Sequence, residues 1–132
     1  MHKGKVGLRS MLGRVKGLGS ARNGTEHWWM QRFTALALIA LVSWFIITSI
    51  RIVSADEETL LQIIKSPLNI ITMMIFAVVS LYHGMLGMQV IIEDYVKEPC
   101  RLIVIVLLKF VTIATAITAL SAIFAFHFAI FN

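Results

Sequence analysis

The sequence predicts an all-α membrane protein of three transmembrane helices, with its N-terminus inside and its C-terminus outside. Three observations carry this. The 132 residues are 58% hydrophobic and only 14% charged, with a mean hydropathy of +0.85. A soluble domain of this length has no interior large enough to hide that much apolar surface. The apolar residues fall in three long runs. Phe33 to Ile50 and Leu68 to Ile92 hold no charged residue, and Leu102 to Phe131 holds only Lys109 and His127. Each suffices for the ~20 helical residues that cross a hydrocarbon core of ~30 Å, and the short alternating segments of a membrane barrel are absent. Finally, the net charge of +5 is lopsided. Lys3, Lys5, Arg9, Arg14, Lys16, Arg22 and Arg32 precede the first run, whereas Asp56, Glu57 and Glu58 face a single Lys65 in the first loop. The positive-inside rule then places the N-terminus on the cytoplasmic or matrix side.

Residues 1–24 read as a basic N-terminal arm on that side, and residues 25–132 as the membrane domain. The arm is too long for the n-region of a secretory signal, and the apolar run after it exceeds an h-region. Its Arg-rich, acid-poor composition leaves a mitochondrial targeting segment as an alternative. Gly17 to Gly24 is glycine-rich, but no strand precedes it and no Walker lysine follows, so it is not a phosphate loop. The arm suits anionic lipid and a protein partner, not nucleic acid.

The first helix is expected at about 26–53, with Thr25 as N-cap and His27, Trp28 and Trp29 at the membrane entry, where tryptophans commonly anchor. Arg32 lies one turn further in. Its guanidinium has two open readings, snorkelling to lipid phosphate or pairing with a buried anion. The loop Ser54–Ser66 is acidic, with at most a turn of amphipathic helix. Pro67 suits the first position of the second helix, at about 67–96, because its missing N–H costs nothing there. Pro99 ends that helix, and the third is expected at about 101–128. Cys100 is the one cysteine, so no internal disulfide exists. Lys109 is expected to snorkel inward and His127 to be interfacial.

The chemistry is concentrated on the second helix. His83 lies inside an uncharged segment, where an ionisable side chain is expensive and marks a functional site by default. Asp94 is eleven residues on, so the two fall within roughly 20° of one helix face and ~16 Å apart along the axis. His83 is therefore near mid-membrane, and Asp94 and Tyr95 are near the inner surface. Ser80, Gly84 and Gly87 beside His83 leave room for another helix or for a flat macrocycle. Two readings of His83 stay open: a hydrogen-bonding residue between helices, or an axial ligand of haem iron. A single such histidine needs a second ligand from another subunit. Asp94 at a helix C-terminus opposes the helix dipole, so a compensating Arg32 or Arg101 is expected. A phenolic O–H such as that of Tyr95 can donate to a quinone carbonyl.

His83, Gly87, Met88, Asp94, Tyr95, Val96 and Lys97 resemble, in identity and spacing, the hydrophobic membrane anchor family of succinate dehydrogenase, respiratory complex II. Arg32, Thr34 and Ala35 look like the segment that opens that family's first helix. The stretch from Thr25 to Arg32 is similar to the version in alphaproteobacteria and related mitochondria. The resemblance covers roughly Gly24 to the end. It implies a two-subunit, haem-binding helical anchor in which His83 is one axial ligand of haem b, the other coming from the second anchor protein, a cytochrome b subunit. Tyr95 would hydrogen-bond a ubiquinone carbonyl opposite a tryptophan of the iron–sulfur subunit. Asp94 would support that site or its proton supply, and Arg32 would lie near the haem propionates and the quinone pocket. Glu93 adds an acid where the family varies, and Lys109 belongs to none of its motifs.

The implied role is to pass electrons from succinate to ubiquinone. The chain would not oxidise succinate alone, having no flavin-binding fold and no cysteine cluster. FAD and the iron–sulfur clusters would be on the flavoprotein and iron–sulfur partners. The implied location is the bacterial inner membrane, with the mitochondrial inner membrane as the alternative. Two other functions stay open: the anchor of a fumarate reductase, and a non-redox packing or assembly subunit in which His83 only bridges helices.

Overall fold

The computed structural model describes residues 22–131, with side chains placed for residues 25–130. Most of the expected basic arm, and the start of its glycine-rich stretch, lie outside the described residues. Four helices follow: α1 (Arg22–Val53), α2 (Glu57–Lys65), α3 (Pro67–Tyr95) and α4 (Cys100–Phe131). Three of them are long and apolar enough to cross a membrane. At 29 to 32 residues they extend roughly 44–48 Å, enough to reach both headgroup regions. Helical hydrogen bonding is what allows these backbones to sit in hydrocarbon, where no water satisfies a free N–H or C=O.

Helix α1 starts before the expected Glu26, and Thr25 lies within it instead of capping it. The largest departure is α2. The loop expected to hold at most a turn carries a nine-residue helix. Asp56 is its N-cap residue, and the Thr59 side chain bonded to it holds the Asp56 carboxyl below the usual carboxylate range. Glu57 and Glu58 sit at its positive end and Lys65 at its negative end, the arrangement that the helix dipole favours. Ile63 is buried, while Glu57, Glu58, Gln62 and Lys65 are exposed. Such a helix covers the bundle end with one face and meets the membrane interface with the other. Pro67 opens α3 immediately afterwards, and Asn69 closes the corner by donating from Nδ2 to the Ile63 carbonyl at 2.9 Å.

Helix α3 is the middle element. It packs against α1 on one side and α4 on the other, whereas α1 and α4 share no comparable interface; α2 rests on α3 and α4. The last turn of α3 ends with Val96 N–H donating to the Ile92 carbonyl, and the cis bond Glu98–Pro99 leads into α4. Few side chains are hidden. Among the described residues only Ile63, Leu86, Ile92 and Thr34 are buried. Large apolar side chains such as Phe33, Leu36, Ile39, Leu107 and Phe110 face outward. A chain built this way is not stabilised by its own core; its exterior needs lipid or another protein chain.

Replacing Asn69 by alanine removes the tie between α2 and α3. The expected cost is about 1 kcal/mol, confined to α2. Hydrogen exchange in detergent should show faster exchange of the α2 amides with mid-α3 unchanged; equal acceleration in both would show that α2 is not held by this bond.

Candidate functional site

Six described side-chain hydroxyls in the long helices, those of Ser43, Ser49, Thr72, Thr112, Thr115 and Thr118, donate to the carbonyl four residues back at 2.8 to 2.9 Å. This is the usual way for a hydroxyl to be satisfied in a membrane helix. Thr34 on α1 does the same to Met30 at 2.8 Å, with Gln31 O at 3.1 Å, and then does something more. Its Oγ1 lies 2.8 Å from Nδ1 of His83 on α3. Thr34 is 6% exposed, so water does not compete for this contact. Polar side chains that meet across membrane helices act as glue between them.

The other ring nitrogen of His83 is different. Nε2 has no hydrogen-bond partner among the described residues. At the next residue, about 100° round the helix, a Cβ built on Gly84 would meet nothing within 4 Å. Gly87, one turn along, is used differently. A Cβ there would sit 3.6 Å from Nε2 of Gln31, so α1 lies close against α3 at this level. Two glycines read together in the sequence thus divide their work: Gly87 admits α1, and Gly84 leaves a face clear.

Arg32 is paired with no carboxylate among the described residues. Its guanidinium lies 5.0 Å from the ring centroid of Trp28, one turn earlier, which also contacts Trp29 edge-on. A cation over an indole face at an exposed site contributes on the order of 0.5–1 kcal/mol. The stacking fixes the side chain while its N–H donors stay available.

Asp94 and Tyr95 end α3. Both are exposed, Tyr95 by 84%. The expected compensation of Asp94 by Arg32 or Arg101 does not occur. Arg101 is taken instead by Glu98, three residues before it, through Nε at 2.9 Å and also through Nη2. Glu98 wins because it sits on the same turn, within direct reach. The neighbouring Glu93 accepts from Gln89 Nε2 at 2.8 Å. Asp94 has no ion-pair partner among the described residues, and no hydrogen bond or ion pair links Arg32, His83 and Tyr95 there. The chain supplies these groups separately and joins none of them into a closed site.

Two features were not read from the sequence. Thr34 appeared there only as part of a motif; a threonine in an apolar run gives no sign of which neighbour it will meet. His27, read as an interfacial residue, lines a small cavity of about 210 Å³ with Glu26, Met30, Tyr82 and Leu86, and its buried Nε2 has no partner among the described residues. At the α2 end, a larger apolar cavity of about 500 Å³ opens between Trp44, Ile63, Met73 and Phe126. His127 also lines it. No group of three or more metal-ligating side chains occurs among the described residues.

The family described as the transmembrane subunit of succinate dehydrogenase/fumarate reductase matches residues 8–130. The succinate dehydrogenase hydrophobic membrane anchor subunit of Rickettsia bellii is 35% identical over 118 residues, 89% of this chain and 94% of that protein. The protein of the same name from Paracoccus denitrificans is 32% identical over 110 residues, 81% and 85% of the two chains. A succinate dehydrogenase membrane anchor subunit of Reclinomonas americana is 32% identical over 96 residues, 70% and 80% of the two. No solved structure matches.

The close approach at Gly87 makes a size test. Gly87→Ala adds a Cβ at ordinary contact distance and should be nearly neutral. Gly87→Leu should displace the Gln31 side chain and crowd the α1–α3 contact, costing about 1–3 kcal/mol, read as a lower denaturant midpoint of the solubilised protein. Equal midpoints for the two variants would mean that α1 is not tightly held there.

Proposed function

The chain belongs to the transmembrane-subunit family of succinate dehydrogenase and fumarate reductase, and from that premise we propose that it passes electrons from succinate to ubiquinone as the haem-binding half of the enzyme's membrane anchor. The anchor role itself follows from the family, and three apolar helices make it a multi-pass protein of the bacterial inner membrane. The finer reading is supported by one observation above the others: His83 has one ring nitrogen held by Thr34 and the other unpartnered among the described residues.

The residues fit a haem. An axial ligand must be a neutral imidazole with a free nitrogen, and His83 keeps Nε2 without a hydrogen-bond partner among the described residues. His83 is a single ligand, so a second histidine would have to come from the partner cytochrome b protein. When bound, haem b supplies a one-electron centre within the membrane. Arg32, fixed by Trp28 but free at its donors, would hold a propionate or another anionic group near the inner surface.

Ubiquinone, the electron acceptor, would bind at the inner end of α3. Its reduction takes two electrons and two protons. Tyr95 would donate its phenolic proton in a hydrogen bond to a quinone carbonyl, holding the ring and drawing electron density to that oxygen. Asp94, exposed and without an ion-pair partner among the described residues, would take protons from water and deliver them to the site. The facing wall, with its tryptophan, would come from the iron–sulfur protein, and FAD from the flavoprotein. With the N-terminus and the α3–α4 turn inside and the C-terminus outside, as the charge distribution predicts, the basic arm and Tyr95 would face the soluble partners together.

A fumarate reductase anchor would share this architecture, with direction set by cofactor potentials and quinone type. The bond between Thr34 and His83 also suits a purely structural role, because it bridges two helices. The unpartnered Nε2 favours ligation over that alternative.

Two measurements test the reading in the whole complex. Tyr95→Phe should lower succinate-dependent ubiquinone reduction about tenfold, the worth of one hydrogen bond of ~1.4 kcal/mol, while reduction of a soluble dye stays intact. Both activities unchanged would remove Tyr95 from the quinone site. His83→Ala should abolish the six-coordinate low-spin haem spectrum, through haem loss or a five-coordinate haem held by the partner alone. An unchanged low-spin spectrum would make His83 a bridge between helices and nothing more.

A further inference from the structure

We propose that Thr34 is the positioning residue that fixes the tautomer of His83, forcing the proton onto Nδ1 and leaving Nε2 as a bare lone pair for the metal. The inference rests on the reading of His83 as a haem ligand and gives Thr34, which that reading used only to hold the ring, a role in selecting the tautomer.

The argument is a count of protons. Thr34 Oγ1 has three close neighbours: Met30 O at 2.8 Å, Gln31 O at 3.1 Å and His83 Nδ1 at 2.8 Å. A hydroxyl carries one proton and two lone pairs. If that proton pointed to Nδ1, two carbonyl oxygens would face the hydroxyl oxygen at these distances with no hydrogen between them. The contact to Met30 has the length of the donated bonds of Ser43, Ser49, Thr72, Thr112 and Thr115, each 2.8 Å. Thr34 therefore has the geometry of a hydroxyl donating to its own helix. The short contact to Nδ1 is then a bond only if Nδ1 carries the hydrogen and donates to Oγ1. A neutral imidazole has one ring N–H, so Nε2 has none.

The arrangement does more than select a tautomer. The Met30 carbonyl draws on the Thr34 hydroxyl, which makes its oxygen a better acceptor for Nδ1–H; chained hydrogen bonds polarise one another in this way. An accepting partner on the far nitrogen fixes the orientation of a ligating histidine and raises its basicity. Burial of Thr34 keeps water from substituting, so the effect depends on this side chain. Ring orientation also becomes a property of the α1–α3 interface.

The test uses the complete complex in membranes and reads the haem, not turnover. Thr34→Val keeps the volume and removes the acceptor; Thr34→Ser keeps the hydroxyl. A weaker-donating imidazole stabilises ferric iron less. At a fixed ambient potential the ferrous-to-ferric ratio should therefore rise about fivefold in Thr34→Val, the fold-change carried by one hydrogen bond of ordinary worth. The low-spin ferric EPR g values should shift with it, and Thr34→Ser should stay close to the parent. If Thr34→Val does not assemble, Thr34→Ala is read in the same way. A valine or alanine variant with the parent's potential and g values and full haem content would overturn the assignment and leave Thr34 as packing. Should His83→Ala leave the low-spin haem untouched, the ligand reading itself fails; should His83→Ala change it while Thr34→Val does not, only the positioning role fails.

Discussion

The contact between Thr34 and His83 is the point from which the site is organised. It crosses from the first long helix to the second at a level where there is no water to trade against. In such surroundings a polar side chain has three outcomes. It can bond its own helix, bond another helix, or wait for a partner outside the chain. The serines and threonines that face only their own helix take the first. Thr34 takes the first and second together, and His83 takes the second and third. One imidazole therefore ties the bundle with one nitrogen and keeps the other in reserve. A side chain with a single polar atom could not do both.

What the chain leaves exposed says as much as what it pairs. Many large apolar side chains face outward, Asp94 has no counter-charge among the described residues, Tyr95 stands nearly free, and Arg32 rests on an indole ring. A monomer in lipid would keep these groups at a cost, since an unpaired acid at a helix C-terminus opposes the dipole. In the proposed assembly these groups would form half of a composite site, completed by partner subunits.

The three spans were legible because long apolar runs with almost no charge have one physical solution in a bilayer, and the structure has them at Arg22–Val53, Pro67–Tyr95 and Cys100–Phe131. Helix α2 was under-read. Its nine residues mix apolar and charged side chains too briefly to separate a helix from a turn, and its docking on α3 and α4 is what selects the helix. His83 stood out because an ionisable group in an apolar run is conspicuous. Thr34 did not, because threonine in such a run normally satisfies itself; only the crossing of α1 and α3 shows that its oxygen meets an imidazole. Asp94 failed in the opposite direction. Sequence supplied two nearby arginines as candidates, and local reach gave Arg101 to Glu98.

Helix α3 divides its duties along its length in a way that suits two different ligands. At His83 it is gripped: α1 holds the ring nitrogen through Thr34, Gly87 draws Gln31 close, and Leu86 is buried. At its end Ile92 still packs inward, but Asp94 and Tyr95 themselves are exposed. A metal ligand must be placed to within a fraction of an ångström and kept there, which asks for a site on a rigid, supported element. A quinone is a substrate that must arrive from the bilayer, react and leave, so a closed pocket built from one chain would hinder it. Under the proposed function, a histidine mid-helix and a tyrosine at the helix end would meet both demands with one element.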